Sequence, residues 1–340
     1  MTTQASARPM PARPDHWLHR AWRFNPTLVI FVIASLGLLL VGSVGMIVDP
    51  RIVLGMPNWA KSTKFGISLL LYGATLLWIL PLITRRPRLA QFVAHATGAI
   101  LTLEIVLLAL QATRGVPMHF NVATPFDAAL WQIMSVSIML FWLVTVVGVI
   151  LLLVQPMPNR VLAWSVRLGM LITLVGLTQG FLMPSPNATQ QAMLAAGQQL
   201  DLIGAHTVGG LDGGPGLPLL GWSTEHGDLR IGHFVGIHGA QTIPLLGFLL
   251  LQLRAGGLRV GHKLALLVIG AAAHLGLVVL VTWQALRDQP LLQPDGLTLG
   301  ALAGLIAAAV LAAGVVLIHA RATAPGSDDA PQALQSGEQP

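Results

Sequence analysis

Residues 128–154 read AALWQIMSVSIMLFWLVTVVGVILLLV, and none of these 27 residues is Asp, Glu, Lys or Arg. As a helix with a rise of about 1.5 Å per residue, the run exceeds the roughly 30 Å hydrocarbon core of a bilayer. Inside that core the backbone must satisfy its own hydrogen bonds, so the run predicts a transmembrane helix. Strands of an outer-membrane barrel would alternate polar and apolar residues over about ten positions, and this segment does not.

The same apolar character extends along the whole chain. Of its 340 residues 54% are hydrophobic and only 9% charged, and the mean hydropathy is +0.72. Because soluble domains carry roughly a quarter charged residues, this composition excludes a soluble enzyme and a disordered protein. The net charge of +6 lies in short segments between apolar runs, which excludes nucleic acid as a partner. The absence of cysteine excludes disulfides, iron–sulfur clusters and thiolate zinc sites.

Seven further apolar runs of similar length flank this one, each bounded by charge or by Pro and Gly. Together they predict an all-α polytopic membrane helix bundle of about eight transmembrane helices. We expect one bundle domain at 28–321, a basic N-terminal segment at 1–27, and a disordered tail at 322–340. The connection 184–230 is the one long loop, and its first part predicts a short interfacial helix. The predicted spans are 28–48, 62–83, 92–112, 128–154, 162–183, 231–253, 262–285 and 297–319.

The cations are unevenly divided between the two sides of this bundle. With eight spans, thirteen of the nineteen Lys and Arg residues fall on the side of the termini. The positive-inside rule therefore predicts that both termini are cytoplasmic and that the loop 184–230 faces outward. Sixteen arginines against three lysines, with no cysteine, favour a bacterial inner membrane as the location. The lipid bilayer is then the first partner, and the oligomeric state stays open.

Polar side chains crowd the outer half of the predicted bundle. On the second span Lys61, Lys64, Ser68, Tyr72 and Thr75 recur at three- and four-residue steps, which places them on one helix face. A lysine at a membrane interface ordinarily extends towards the headgroups. For Lys61 this interpretation and a role in a ligand site are equally supported by the sequence. Lys64 lies nearer the body of the helix and is predicted to face inward.

Glu104 on the third span is the only acidic residue within a predicted span. An ionisable group at the bilayer centre costs at least about 2.5–3.5 kcal/mol on insertion scales, so a functional role is the first hypothesis. On the sixth span His238 lies at similar depth, about 12–15 Å from the outer end at ~1.5 Å per residue. We therefore predict a Glu104–His238 pair, with Lys64, as the candidate catalytic group; a structural, hydrogen-bonded carboxyl is the alternative. His233 points about 140° away from His238 on a regular helix.

Further polar residues accompany this pair in the outer loops and helix ends. Loop histidines are often merely solvated, but their number in so apolar a chain favours a shared site. The candidate ligand-binding residues are Lys61, Arg114, His119, Asn121, Asp228, Arg230 and Gln241. The candidate metal ligands are His119, His206, His233 and His238, although no tight spacing such as H-E-x-x-H is present.

Three segments, PNWAKSTKFGIS, QATRGVPMHFN and DGGPGLPLLGWSTEHGDLRIGHFVGIHGAQTIPLLG, carry most of these residues. In them the chain resembles a group of uncharacterised multi-pass bacterial membrane proteins over about residues 55–250. The resemblance implies a shared outer site and no particular activity.

Four functions remain open from the sequence. We favour a membrane protein whose outward-facing pocket binds or modifies a small molecule or a divalent metal. The first alternative is a proton-coupled transporter or permease for a small anionic solute, with Glu104 and His238 as the proton relay. Haem binding is less favoured. The eight spans and the length resemble haem A synthase, but that family places its haem-binding histidines on even-numbered helices, and the second, fourth and eighth spans here lack histidines at suitable depth. A structural subunit would leave the outer charges unexplained.

Overall fold

The computed structural model describes residues 17–253 and 258–323. Most of the predicted basic N-terminal segment, Arg254 and nearly all of the predicted disordered tail lie outside these residues. Within them, β1 (Ile52–Val53) and β2 (Met56–Pro57) form a two-stranded antiparallel hairpin. Short 3₁₀ turns, Leu80–Leu82 and Gly180–Leu182, continue two of the helices. The α-helices are α1 (Trp17–Phe24), α2 (Pro26–Val48), α3 (Ala60–Ile79), α4 (Pro87–Arg114), α5 (Pro125–Val154), α6 (Arg160–Gln179), α7 (Ala188–Ala195), α8 (Leu229–Ile237), α9 (Gly239–Gln252), α10 (Val260–Leu286) and α11 (Gly296–Ala322).

The predicted all-α polytopic bundle is confirmed. In the described residues, seven helices are long and apolar enough to cross a membrane, and α8 with α9 makes an eighth bent span. Local signals set the ends of these helices. Pro26 and Pro125 lie in first turns, and the side chains of Asn25 and Thr124 accept hydrogen bonds from the backbone N–H groups of Leu28 and Asp127.

The sixth predicted span is broken rather than continuous. α8 and α9 meet at His238 with a bend of 43°. Thr173 of α6 replaces the lost helical hydrogen bonds, because its hydroxyl donates to the Ile237 carbonyl over 3.2 Å and accepts from Ala240 N–H over 2.8 Å. Such an inserted side chain is a recognised cause of a sharp kink. The bend therefore lies at His238, whereas Pro244 stands inside α9.

Two larger clusters of buried hydrophobic residues hold the described bundle together, and α6 belongs to both, while a third, small cluster lies around Phe120 and Met183. The larger core lies between α2, α3, α4 and α5, with Phe31, Leu108 and Leu152 fully buried. The smaller core joins α6 to α9 and α10 through Leu267 and Val278. α11 packs against α10 and leaves its most apolar stretch unburied, as expected of a surface that faces lipid.

Small residues bring α8 close to α6. A Cβ atom on Gly236 would lie 2.5 Å from Cα of Gly176, a separation that real atoms do not tolerate. A Cβ on Gly239 would lie 2.8 Å from the Ile172 side chain. These glycines therefore allow a close helix crossing, which fixes the position of α8 in the bundle.

The connection from Met183 to Asp228 folds over one end of the bundle, which we call the loop end. It contains α7, the predicted short helix, whose Asn187 and Gln190 form a reciprocal capping box. The buried Gln190 amide also donates to the carbonyls of Leu202 and Gly204, both over 3.0 Å. From the α10–α11 turn, Asp288 accepts from two backbone N–H groups of the loop. These bonds give a connection without regular structure a defined shape.

Candidate functional site

A cavity of about 1010 Å³ opens at the loop end, between α3, α4, α5 and α8 and beneath residues 206–226. The cavity is lined by both polar and apolar side chains. Its polar lining includes Lys61, Lys64, His119, His206, Asp212 and Arg230. The cavity therefore collects most of the chemistry-bearing side chains of the loop end in one place.

Lys61 and Lys64 reach the cavity from the first turns of α3. The Lys61 ammonium donates to Nδ1 of His119 over 3.0 Å, and the Lys64 ammonium donates to the Leu220 carbonyl over 2.6 Å. Within residues 17–253 and 258–323 neither ammonium has a carboxylate within 4.0 Å. Partly buried charges are ordinarily paired, and the N-terminus of α3 adds further positive potential. This wall of the cavity is thus suited to an anion.

Arg230 adds a third cation, held in place by Asp228. The fully buried Asp228 caps α8 by accepting from Arg230 N–H over 3.0 Å, and it also accepts from Nη2 of that guanidinium over 2.5 Å. Nη2 further donates to the Gly221 carbonyl over 2.5 Å. Arg230 lines the cavity whereas Asp228 does not, so Asp228 positions the guanidinium from behind.

His206 and Asp212 form a short pair within the loop. The Asp212 carboxylate accepts from Nδ1–H of His206 and from backbone N–H groups of His206 and Thr207. Burial lowers the pKa of His206, so the ring is neutral at pH 7 with its proton on Nδ1. Burial alone would raise the pKa of Asp212, but His206 and Arg230 outweigh it and hold that pKa below its ordinary value. Nε2 of His206 then presents a lone pair to the cavity.

His119 has the opposite tautomer. Because the Lys61 ammonium donates to Nδ1, the proton of the neutral ring is placed on Nε2. Burial is the main cause that holds the pKa of His119 well below its ordinary value, and the charge of Lys61 is the second. The rings of His119 and His206 lie 6.4 Å apart between centroids, beside Phe120 and Trp131. The cavity thus offers one nitrogen donor and one nitrogen acceptor side by side.

Glu104 lies deeper in the same cavity. It is buried on α4, and Oε1 accepts a hydrogen bond from the Ser137 hydroxyl of α5. Just below, the rings of Tyr72 and Phe141 meet edge to face, 5.9 Å apart between centroids. Phe141 lines the cavity and Tyr72 lies behind it, so this pair marks the floor.

The predicted Glu104–His238 pair does not form. His238 lies at the break between α8 and α9, where Nδ1 bonds to the Phe234 carbonyl of its own helix over 2.8 Å. His238 does not line the cavity that contains Glu104. Gln241 is also outside the cavity and donates to the Thr75 hydroxyl over 3.1 Å, which ties α9 to α3. The bend between α8 and α9 places His238 and Gln241 differently from the straight helix on which the prediction was based.

Three other predicted ligand residues have structural partners instead. Arg114 at the end of α4 pairs with Asp127 of α5 over 2.5 Å and lies outside the cavity. Asn121 is buried and accepts from the Ala123 N–H, which shapes the α4–α5 loop. Asp228 acts on Arg230 as described. Of the predicted ligand-binding set, Lys61, His119 and Arg230 line the cavity, with Lys64 beside them.

The four candidate metal ligands do not assemble into a metal centre. Across the described ranges, no three His, Cys, Asp or Glu side chains are placed to hold one ion. His233 lines the cavity, but its Nδ1 bonds to the Gly176 carbonyl over 2.7 Å and so anchors α8 to α6. His119 and His206 each direct Nδ1 to a protein partner, and His238 lies elsewhere.

Several cavity residues were not among the predicted site residues. Asp212 lies in a Gly-rich loop, and nothing in its spacing from His206 predicts that the two meet. The apolar side of the cavity includes Trp142 on α5, Phe181 in the 3₁₀ turn and Phe234 on α8. In sequence these aromatic residues are indistinguishable from those that face lipid or fill a core. Only the three-dimensional arrangement identifies them.

In comparisons with known proteins, no family model, no curated protein and no solved structure matches this chain. The resemblance to a group of multi-pass bacterial membrane proteins stays a prediction. A function for the cavity is therefore argued from the arrangement of its own residues.

Proposed function

We propose that this is a multi-pass protein of a bacterial inner membrane whose cavity opens outward and binds a small anionic molecule. The observation that carries this function is the convergence of Lys61, Lys64 and Arg230 on one wall, with no carboxylate paired to either lysine in the described chain. At an effective dielectric constant of about 20, each ammonium at 4 Å from an anion contributes about 4 kcal/mol before desolvation. The arginine distribution supports the outward direction.

A second candidate function is chemistry on the bound molecule. It is favoured by the Asp212–His206 pair, because a carboxylate that fixes the Nδ1 proton leaves Nε2 as a proton acceptor. Together with the Nε2–H of His119, this arrangement would move a proton to or from a ligand held by the three cations. Binding is the necessary first step of both functions.

Proton-coupled transport has less support. Its relay required Glu104 and His238 to communicate, and the two residues have separate partners. In the described chain, the residues that line the cavity reach no farther towards the opposite end than Leu101 on α4 and Trp142 on α5. Haem ligation stays a prediction, and an absorption spectrum without a Soret band would contradict it.

The binding function is tested by titrating the purified protein, in phosphatidylcholine nanodiscs, with inorganic phosphate, sulfate and acetate. We expect calorimetry to detect binding of at least phosphate, and the Lys61→Gln/Lys64→Gln variant to weaken it at least ten-fold. Lys263→Gln is the matched control, because Lys263 bonds to the carbonyls of Leu251 and Leu253 and lies outside the cavity. Absence of binding for all three anions, or equal binding by the double variant, would contradict the proposal.

A further inference from the structure

The cavity is too large and too apolar for a bare anion. Its volume of about 1010 Å³ is at the upper end of the 300–1,000 Å³ typical of pockets for drug-sized ligands. An inorganic anion at Lys61 and Lys64 would leave most of that volume empty. The apolar lining includes Ile138, Met139, Trp142, Phe181, Phe234 and Ile237.

One apolar wall of the cavity is not covered by protein. Met134 and Phe141 line the cavity and are only 1% and 5% exposed, so lining it does not by itself expose a side chain. Met139, Phe181 and Phe234 line the same cavity and are 46%, 44% and 37% exposed. Their exposure indicates a side opening between α5, the 3₁₀ turn and α8.

This side opening lies within a membrane-spanning stretch. Met139 is fourteen residues into α5, which corresponds to about 21 Å of helix rise. Trp142 secures one edge of the opening, since its indole N–H donates to the Thr178 hydroxyl of α6 over 3.0 Å and its ring meets Phe181 at 5.7 Å. In the orientation proposed above, the opening would face the acyl chains of the bilayer.

We propose that the anionic ligand is a phosphate-headed lipid, which enters from the bilayer through this opening. The inference rests on the proposed function and specifies its substrate class. The phosphate is held by Lys61 and Lys64 with Arg230 adjacent, because two unpaired ammonium charges match a phosphate monoester dianion better than a single carboxylate. The alkyl chain lies along Trp142 and Phe234 and leaves between α5 and α8.

The test compares inorganic phosphate with decyl phosphate, kept below its micellar concentration, on the protein in phosphatidylcholine nanodiscs. Empty nanodiscs give the background partitioning. A buried methylene contributes about 0.8 kcal/mol, a roughly four-fold gain in affinity, so a partly buried chain predicts decyl phosphate at least 100-fold tighter than inorganic phosphate. The Phe181→Asn/Phe234→Asn variant should lose at least ten-fold of that advantage, measured as the ratio of its two affinities, and unchanged elution on size-exclusion chromatography shows that it is folded.

A matched control is Phe248→Asn, since Phe248 on α9 is exposed but lies outside the cavity. It should bind both probes as the unmodified protein does. Decyl phosphate binding no tighter than inorganic phosphate, or insensitive to the two Phe substitutions, would overturn the lipid assignment and leave anion binding intact. Failure of both probes to bind would reject the anion site itself.

Discussion

The two lysines of α3 differ from the other charged groups of the loop end in what they contact. Arg51, Arg114 and Arg230 each pair with a carboxylate, whereas Lys61 and Lys64 end on a histidine nitrogen and a carbonyl oxygen. Neutral acceptors satisfy hydrogen bonds without forming an ion pair, and the charges of Asp212 and Asp228 act on Lys61 and Lys64 only from beyond 4.0 Å. The two lysines can therefore take a ligand anion as an ion-pair partner, and Arg230 adds a rigid neighbour.

The protonation of His206 gives a prediction about pH. Burial lowers its pKa, so the ring should stay neutral and reactive towards diethyl pyrocarbonate below pH 6.5, where an ordinary histidine becomes protonated. Mass spectrometry of the modified peptide across pH 4.5–8 would give the midpoint of the reaction.

Asp212→Asn supplies the control for this titration. The charge of Asp212 raises the pKa of His206 against the effect of burial, so its removal should move the midpoint to still lower pH. A midpoint at or above 6.5 in the unmodified protein would contradict the buried, neutral state of the ring.

For single residues, the sequence predicted which side chains belong to the site better than it predicted the partners that they contact. Lys61, Lys64, His119, His206 and Arg230 were predicted site residues and do share the cavity. Arg114, also a predicted ligand residue, lies outside the cavity, where it pairs with Asp127 in the first turn of the next helix. Such pairing depends on how two helices are offset, and spacing along one helix contains no information about that.

Among the elements, α8 is the one whose position the cavity most depends on. It carries Arg230, His233 and Phe234, and it is held against α6 by the approach of Gly236 to Gly176. Gly236→Ala would place a methyl group 2.5 Å from a backbone atom of α6. We expect a loss of about 1–3 kcal/mol in stability, seen as a lower thermal unfolding temperature, together with weaker anion binding.

Gly300→Ala on α11 is the matched substitution for this test. A Cβ at Gly300 meets nothing within 4 Å, so the variant should keep or slightly raise the unfolding temperature. Equal behaviour of the two variants would mean that α8 does not depend on this close crossing.

The elements themselves were largely predictable from sequence. Each predicted span corresponds to a helix or, in one case, a bent pair, because a 20-residue apolar run between charges has few alternatives in a bilayer. The break at His238 was not predicted, since the hydroxyl that permits it belongs to Thr173, 65 residues earlier in the chain. The fold of residues 184–228 also escaped prediction, because it depends on dispersed side chains such as Gln190 and Asp288.

The molecule is asymmetric within the described residues, because the large cavity lies at the loop end. In the described residues the loop end holds the polar cavity, while the opposite end carries arginines such as Arg85, Arg88 and Arg160 beside a far smaller depression of about 140 Å³. A protein open to one side in this way would exchange its ligand either with that aqueous compartment or with the bilayer. The direction in which the loop end faces thus determines which aqueous compartment, or which leaflet of the bilayer, supplies the ligand.

That direction can be measured without first removing any cysteine, because the chain has none. We expect Ala192→Cys in α7 to react with a membrane-impermeant maleimide added to intact spheroplasts. Arg88→Cys, exposed at the opposite end, should react only after lysis. The reverse pattern would place the loop end in the cytoplasm and contradict the proposed orientation.

The floor of the cavity offers a further experimental consequence. The chain contains a single tyrosine, and that tyrosine is Tyr72, packed edge to face on the cavity-lining Phe141. Growing the protein with fluorinated tyrosine would therefore introduce one fluorine nucleus, in a known place, without any mutation. In the purified protein, its magnetic resonance signal would report occupancy of the neighbouring cavity before a natural ligand has been identified.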